Sequence, residues 1–387
     1  MFELLLSAWL LTGAVALGPA VFIFLYMKRS AKKPWPTRID AEYKPKISII
    51  VPTYNESRII QLKLINLSRL GYPKSLLETL VVDSNSSDNT AEIVQQFCEK
   101  NSDANLRLIA EKERKGKSHA LNSALEQCKG EIIIVSDADC FWPSDILEKA
   151  IPFLADPSVG VIGGPKILMN AEQTWVTRME EQYLRSANSL RLGESKAGST
   201  VFFEGGFSAF KKNAINGFDP YKTGSDDCGT VISTIEKNFR AELVPNARFY
   251  TTFPTSLRNK ISIKIRRINQ LIRVFSTYLN LLIHGRLKSS KVTVVPNTLM
   301  YLFSPVAFVV FLVLTGLLVL GFPYLLLALL LFLVPKVRFY TYQIFENNLL
   351  LLTGLVGVAS GRKFSVWSQP EDRECLSSEV LVQFGLI

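Results

Sequence analysis

Between Val292 and Pro335 the chain carries no charged side chain. A helix crosses a bilayer in about 20 residues, so this run is too long for one span. It suits a helical hairpin turned near Gly321-Phe322-Pro323. Lys336 and Arg338 would return it to the cytosolic side. Leu4 to Met27 is also free of charge and is followed by Lys28, Arg29, Lys32 and Lys33. The positive-inside rule puts that end in the cytosol. Only Glu3 precedes the run, which favours an uncleaved signal anchor over a secretory signal peptide. Phe339 to Gly361 carries only Glu346 and has basic residues at both ends. It reads as a helix lying in the interface rather than a further crossing.

These patterns divide the chain into an anchor (residues 1–30), a soluble domain (44–255), a basic segment (256–291), a hairpin (292–338) and an apolar-then-polar end (339–387). The expectation is an integral protein of the cell membrane with its soluble domain in the cytosol. The net charge of +10 is unevenly spread. Ser256 to Lys291 holds nine Lys and Arg and no acid, interleaved with Ile, Leu and Phe. That mixture suits membrane lipids with anionic headgroups, or a phosphorylated ligand, and makes nucleic acid a poor partner. The five cysteines show no metal-ligand spacing and are expected as free thiols.

In the soluble middle, short β-branched runs alternate with helical patterns. Strands are expected at Lys46–Val51, Leu77–Val82, Leu106–Ala110 and Glu131–Ser136, with helices over Ser57–Leu70, Ala91–Lys100 and Leu121–Cys128. The alternation implies an α/β fold with a mostly parallel sheet covered on both faces. Polar residues collect where strands end: Thr53 to Glu56, Asp83, and Asp137 with Asp139. Ligands bind beyond the carboxyl ends of parallel strands, so these side chains should face one cleft. Asp137-Ala-Asp139 suits a hard divalent cation bound to a diphosphate, although a solvated acidic turn would read the same. Asp83 could accept from a ribose hydroxyl or an imide N–H, or simply close an Asx turn. Lys117, at the start of a helix after Gly116, could meet a phosphate. His119 has no nearby second ligand and reads as a helix residue. Neither G-x-G-x-x-G nor a P-loop motif follows the first strand.

The order of motifs resembles glycosyltransferase family 2, inverting nucleotide-sugar enzymes with the Rossmann-like GT-A fold. Pro52-Thr-Tyr-Asn-Glu56, Val82 to Asp88, Lys115 to Asn122, Asp137-Ala-Asp139, Glu204 to Phe210, Ser225-Asp-Asp227 and Gln270-Leu-Ile-Arg273 carry the likeness. The flanking apolar segments are similar to the membrane-embedded branch, with its hyaluronan, chitin and cellulose synthases and ceramide glucosyltransferase. The resemblance implies Asp227 as the catalytic base, with Asp226 beside it. It implies Asp139, assisted by Asp137, as ligands of Mn²⁺ or Mg²⁺. Pro52, Tyr54, Glu56, Asp83, Lys117, Asp137 and Arg273 would contact the nucleotide-diphosphate sugar donor. Gly205, Gly206 and Gln270 would border a lipid or glycan acceptor.

One departure stands out. The membrane branch usually carries Gln-x-x-Arg-Trp, whereas Val274 follows Arg273 here. The expectation is therefore a single inverting sugar transfer at the cytosolic face. A processive polysaccharide synthase is the alternative among enzymes, and a silent nucleotide-sugar sensor or scaffold the alternative outside them.

Overall fold

The computed structural model describes residues 2–362 and 376–387. The polar tail from Trp367 to Cys375 lies outside the described residues. At the centre is a seven-stranded sheet ordered β3-β2-β1-β4-β7-β5-β8. Its strands are β1 (Ile47–Thr53), β2 (Leu77–Asp83), β3 (Leu106–Ala110), β4 (Ile132–Val135), β5 (Val159–Gly163), β7 (Ser208–Lys211) and β8 (Arg240–Leu243). Strands β1 to β4 run parallel, and so do β5 and β8. Only β7 is antiparallel to both neighbours. A second sheet pairs β6 (Lys166–Leu168) with β9 (Phe249–Thr251).

The inner strands are fully buried because both sheet faces are covered. Ile47, Ile49 and Val51 point into one apolar cluster, while Ile50 enters the other. That two-sided burial explains why these strands read as unbroken apolar runs rather than alternating ones. The covering helices include α2 (Ile60–Ser68), α3 (Thr90–Lys100), α4 (Lys117–Leu125), α5 (Ile146–Ala150), α6 (Trp175–Ala197) and α7 (Asp226–Glu236). Helix α2 starts later than its apolar periodicity suggests. Residues before it are tied to the turn after β2: Asn55 Oδ1 accepts from the Ser87 N–H, and the Ser57 N–H donates to Asp88.

Two helices are long and apolar enough to cross a membrane, α1 (Phe2–Ser30) and a helix over Ser304–Gly321. Between the sheet domain and the second of these lie α8 (Leu257–Ile283) and α9 (Lys291–Leu302), so Ser304–Gly321 is α10. Helices α1 and α10 pack antiparallel. Phe2 meets Phe322, Trp9 Nε1 donates to Thr315 Oγ1 at 2.8 Å, and Ser304 Oγ donates to the Val15 carbonyl. The C-terminal end of α1 reaches the sheet domain, where Met27 meets Gly193 of α6. The first part of the charge-free run stays with that domain rather than joining a hairpin. Thr293, Asn297 and Thr298 of α9 are buried, and Asn297 Nδ2 donates to Glu194 of α6 at 2.7 Å. The chain does break after Gly321, but it continues as a tight 3₁₀ segment, Pro323–Leu333. Helix α11 (Pro335–Ala359) leaves that segment at 105°. It then lies along α8, with Lys264 paired to Glu346 and Gly354 against Ile268. A last helix, α12 (Ser378–Gln383), returns to the sheet domain and buries Leu381 and Leu386.

The junction between α1 and the sheet domain depends on one glycine. A Cβ on Gly193 of α6 would lie 2.0 Å from the Met27 carbonyl. Gly193→Leu is expected to lower stability by about 1–3 kcal/mol through overpacking. The check is the thermal midpoint of the full chain in detergent; an unchanged midpoint would show that α1 does not dock there.

Candidate active site

The acids come together at the carboxyl edge of the sheet. Asp137 follows β4, and Asp226 with Asp227 form the first turn of α7. Lys117, at the start of α4, bridges them: its Nζ lies 2.6 Å from Asp137 Oδ1 and 2.8 Å from Asp226 Oδ2. Gly205 closes the cluster. A Cβ there would stand 3.4 Å from Asp137 Oδ2, Asp227 Oδ2 and Lys117 Nζ alike. One point in space is therefore shared by two carboxylates and an ammonium. Asp227 Oδ1 is already engaged, accepting from Ser225 Oγ and from the Cys228 N–H at 2.7 Å. Its Oδ2 is the oxygen turned to the shared point.

Charge explains why Lys117 sits where it does. Three carboxylates at this spacing repel one another, and the ammonium offsets that repulsion. Burial pulls the Lys117 pKa down, but Asp137, Asp226 and Asp227 more than reverse this and hold it well above the ordinary value. Asp137 is pushed up by burial, opposed by Lys117 and reinforced by Asp139 and Asp226.

Asp137, Asp139 and Cys140 each offer an atom within 4.8 Å of the others. Burial drives the Cys140 thiol well above its usual range, with Asp139 and Asp137 adding to the shift. Its Sγ points at Asp139 Oδ1, 3.7 Å away. A protonated thiol is not a ligand for a hard cation, so the donor set reduces to two half-buried carboxylates. That set fits Mn²⁺ or Mg²⁺ completed by diphosphate oxygens.

Other residues singled out in the sequence occupy the same edge. Asp83 ends β2, two strands from β4 and thus about 10 Å across the sheet from the acid cluster. Its carboxylate accepts from the Ser86 N–H at 3.0 Å and from Ser86 Oγ, the Asx-type turn expected as one alternative. Pro52 is in register with Val82, and Glu56 is buried at the next bend, its N–H on Thr90 Oγ1. The Arg114 guanidinium lies 3.5 Å above the Tyr54 ring, joining the loops that follow β1 and β3. His119 is an exposed helix residue whose Nδ1 meets Glu111 at 2.7 Å. The four described cysteines are free, and Cys375 lies outside the described residues.

Gln270 and Arg273 are both held by backbone carbonyls. Gln270 Nε2 donates to the Gly224 carbonyl, just before the Asp226-Asp227 pair. Arg273 donates to the Arg362 carbonyl at 2.6 Å and to Asn269. The cations that feel the acids are Arg266 and Arg267, two turns earlier on α8. Arg266 is lowered by burial and by Arg267, while Asp137, Asp226 and Asp227 oppose the shift. Arg267 is raised against burial by Glu204, with Asp227 contributing.

Glu204 is a further residue whose part the sequence did not disclose. Its carboxylate meets Arg191 at 3.2 Å, Lys166 at 3.7 Å and Arg267 at 4.0 Å. Burial would raise its pKa, yet Lys166, Arg191 and Arg267 bring it down to about 2. Three elements, α6, β6 and α8, are thereby fastened to the residue preceding Gly205-Gly206. A Cβ on Gly206 would stand 2.1 Å from the Phe249 ring and 2.7 Å from Cys140 Sγ, so this backbone needs glycine to approach so closely.

Comparison with known proteins agrees with this architecture. Residues 48–218 match the family model described as glycosyl transferase family 2. The chain is similar to the solved mannosyltransferase PcManGT from Pyrobaculum calidifontis, in complex with GDP-Man and Mn²⁺. That likeness has a TM-score of 0.75 and 30% identity, covering 93% of this chain and 100% of that one. Among curated relatives, glycosyltransferase AglE of Haloferax volcanii is 38% identical over 31% of this chain and 39% of its own length. An N-acetylglucosaminyltransferase of Rhizobium meliloti is 26% identical over 57% of this chain and 54% of its own. The chain thus spans about a third to a half of the curated relatives it matches. The sheet domain has the GT-A fold, and the chain belongs to glycosyltransferase family 2.

Proposed function

We propose that this enzyme moves one hexose-type sugar, with inversion, from a nucleotide-diphosphate donor to a lipid or lipid-linked glycan acceptor at the cytosolic face of the cell membrane. The observation that carries the reading is the convergence of Lys117, Asp137, Asp226 and Asp227 on Gly205, with Asp139 alongside. Inverting transfer needs a base opposite the leaving group and counter-charge on the diphosphate. Asp227 is the base: its Oδ2 is aimed at the point over Gly205 that it shares with Asp137 and Lys117, toward which an acceptor hydroxyl would be directed. Asp226 holds Lys117 in place beside it. Lys117, Arg266 and Arg267 meet the diphosphate, with Arg273 farther along α8. A divalent ion held by Asp139 and Asp137 supplies charge neutralisation to the departing diphosphate. Asp83, with Pro52, Tyr54 and Glu56 around it, takes the ribose or base; Gly205, Gly206 and Gln270 border the acceptor.

Membrane attachment follows the same logic. Leu257, Ile261 and Ile265 form an exposed apolar stripe on α8 at helical spacing, next to the exposed Arg258. A basic amphipathic face of this kind seats in anionic headgroups. It would bring the cleft to the interface, where a lipid-borne acceptor enters between α8 and the two membrane helices.

The test is a screen of nucleotide sugars, GDP-mannose first and UDP sugars next, with the full chain in lipid. Released nucleotide is read with Mn²⁺, with Mg²⁺ and with a chelator. Release that depends on divalent metal is expected. No release from any donor under any of these conditions would overturn the assignment, and a ladder of product lengths would overturn single transfer.

A further inference from the structure

Lys63 is wholly buried in α2, with no carboxylate in contact with its ammonium among the described residues. Burying an amine without a counter-ion is costly. Its placement explains why the cost is carried. Nζ donates to the Cys140 carbonyl at 2.6 Å and lies 4.4 Å over the Trp142 indole. Cys140 is the exit of the turn that presents Asp137 and Asp139, closed by the Cys140 N–H on the Asp137 carbonyl.

Every backbone polar group in the next two residues is then accounted for. Phe141 exchanges both hydrogen bonds with Tyr250 at 2.8 Å. The Trp142 N–H donates to Asn66 Oδ1 at 3.0 Å, and its carbonyl accepts from Asn66 Nδ2 at 2.7 Å. Lys63 and Asn66 lie one turn apart on α2, so one helix face grips the exit strand twice. The indole carries the constraint onward: Trp142 Nε1 donates to the Gly206 carbonyl at 2.8 Å, and Phe207 packs edge-on against the ring at 5.0 Å.

We propose that Lys63 and Trp142 are positioning residues. Lys63 fixes the exit of the Asp137–Cys140 turn, and Trp142 ties that turn to Gly205-Gly206. The acids and the glycine backbone facing them are thereby held at one spacing. This rests on the reading of Asp137 and Asp139 as metal ligands, and it concerns residues that touch neither metal nor sugar.

The direction of the effect discriminates the proposal. Burial brings the Lys63 pKa down to about 7. Whatever positive charge it carries beneath the acids weakens a cation site, so removal of charge alone would not loosen Mn²⁺ binding. Loss of positioning would loosen it. The experiment is electron paramagnetic resonance titration of free Mn²⁺ with the full chain in detergent, run with GDP and separately with UDP. For Lys63→Met, which keeps the bulk and removes the donor, a rise of about 10-fold in the Mn²⁺ dissociation constant is expected. Trp142→Phe keeps an aromatic ring in the core but removes the N–H bond to Gly206 together with part of the indole's bulk. It is expected to leave Mn²⁺ binding within about 2-fold and to lower kcat about 10-fold at unchanged donor KM. Tighter or unchanged Mn²⁺ binding in Lys63→Met overturns positioning by Lys63. An unchanged kcat in Trp142→Phe overturns the tie to Gly206, and does so even where Lys63→Met fails to fold. If the wild-type chain binds no Mn²⁺ with either nucleotide, the metal reading itself falls and the inference with it.

Discussion

Asp227→Asn is expected to lower kcat by about 10³-fold or more, with donor binding changed by less than about 2-fold. The substitution keeps size and hydrogen bonding. An amide oxygen can still accept from Ser225 Oγ and the Cys228 N–H, so the first turn of α7 has no reason to move. It cannot take a proton from an attacking hydroxyl. Initial rates and nucleotide affinity by calorimetry separate the two quantities. Asp139→Ala supplies the contrast, because losing a metal carboxylate should weaken nucleotide binding in Mn²⁺ and leave it unchanged in chelator. Normal turnover by Asp227→Asn would remove it as the base. Selection of Asp226 instead would then be awkward, since Asp226 is engaged by Lys117 at 2.8 Å.

Much of this site was legible because it is written in short local patterns. Buried parallel strands read as unbroken apolar runs, and a polar residue directly after such a run marks the sheet edge, as Asp83 and Asp137 do. What escaped reading depends on distant partners. Strand β7 inserts antiparallel between β4 and β5, pairings across roughly 75 and 45 residues that no window of sequence records. Lys63 is fully buried, and its acceptor is a carbonyl far along the chain that no local pattern records. Glu204 stood in a recognised motif, but its three cations come from three other elements. Val292 to Leu302 misled in the opposite direction. Lacking charge, it read as lipid-facing, although Thr293, Asn297 and Thr298 give α9 a polar face for the sheet domain.

Arg266→Ala is expected to lower kcat/KM for the donor by about 10²-fold, and Arg273→Ala by no more than about 5-fold, reversing the ranking the Gln-x-x-Arg pattern suggested. Both arginines lie on one face of α8, because seven residues make nearly two full turns. They are nonetheless about 10 Å apart along its axis at 1.5 Å per residue. A diphosphate beside Asp137 and Asp139 falls within reach of one end of that interval. Arg266 is at the acid end, where Asp137, Asp226 and Asp227 all act on its charge. Arg273 spends its donors on the Arg362 carbonyl and on Asn269. Losing Arg266 would leave the developing charge on the leaving group to Lys117 and Arg267, and Arg267 is already committed to Glu204 at 4.0 Å. Steady-state kinetics of the two variants decide the matter. A larger defect in Arg273→Ala would overturn the ranking and return the diphosphate contact to Arg273.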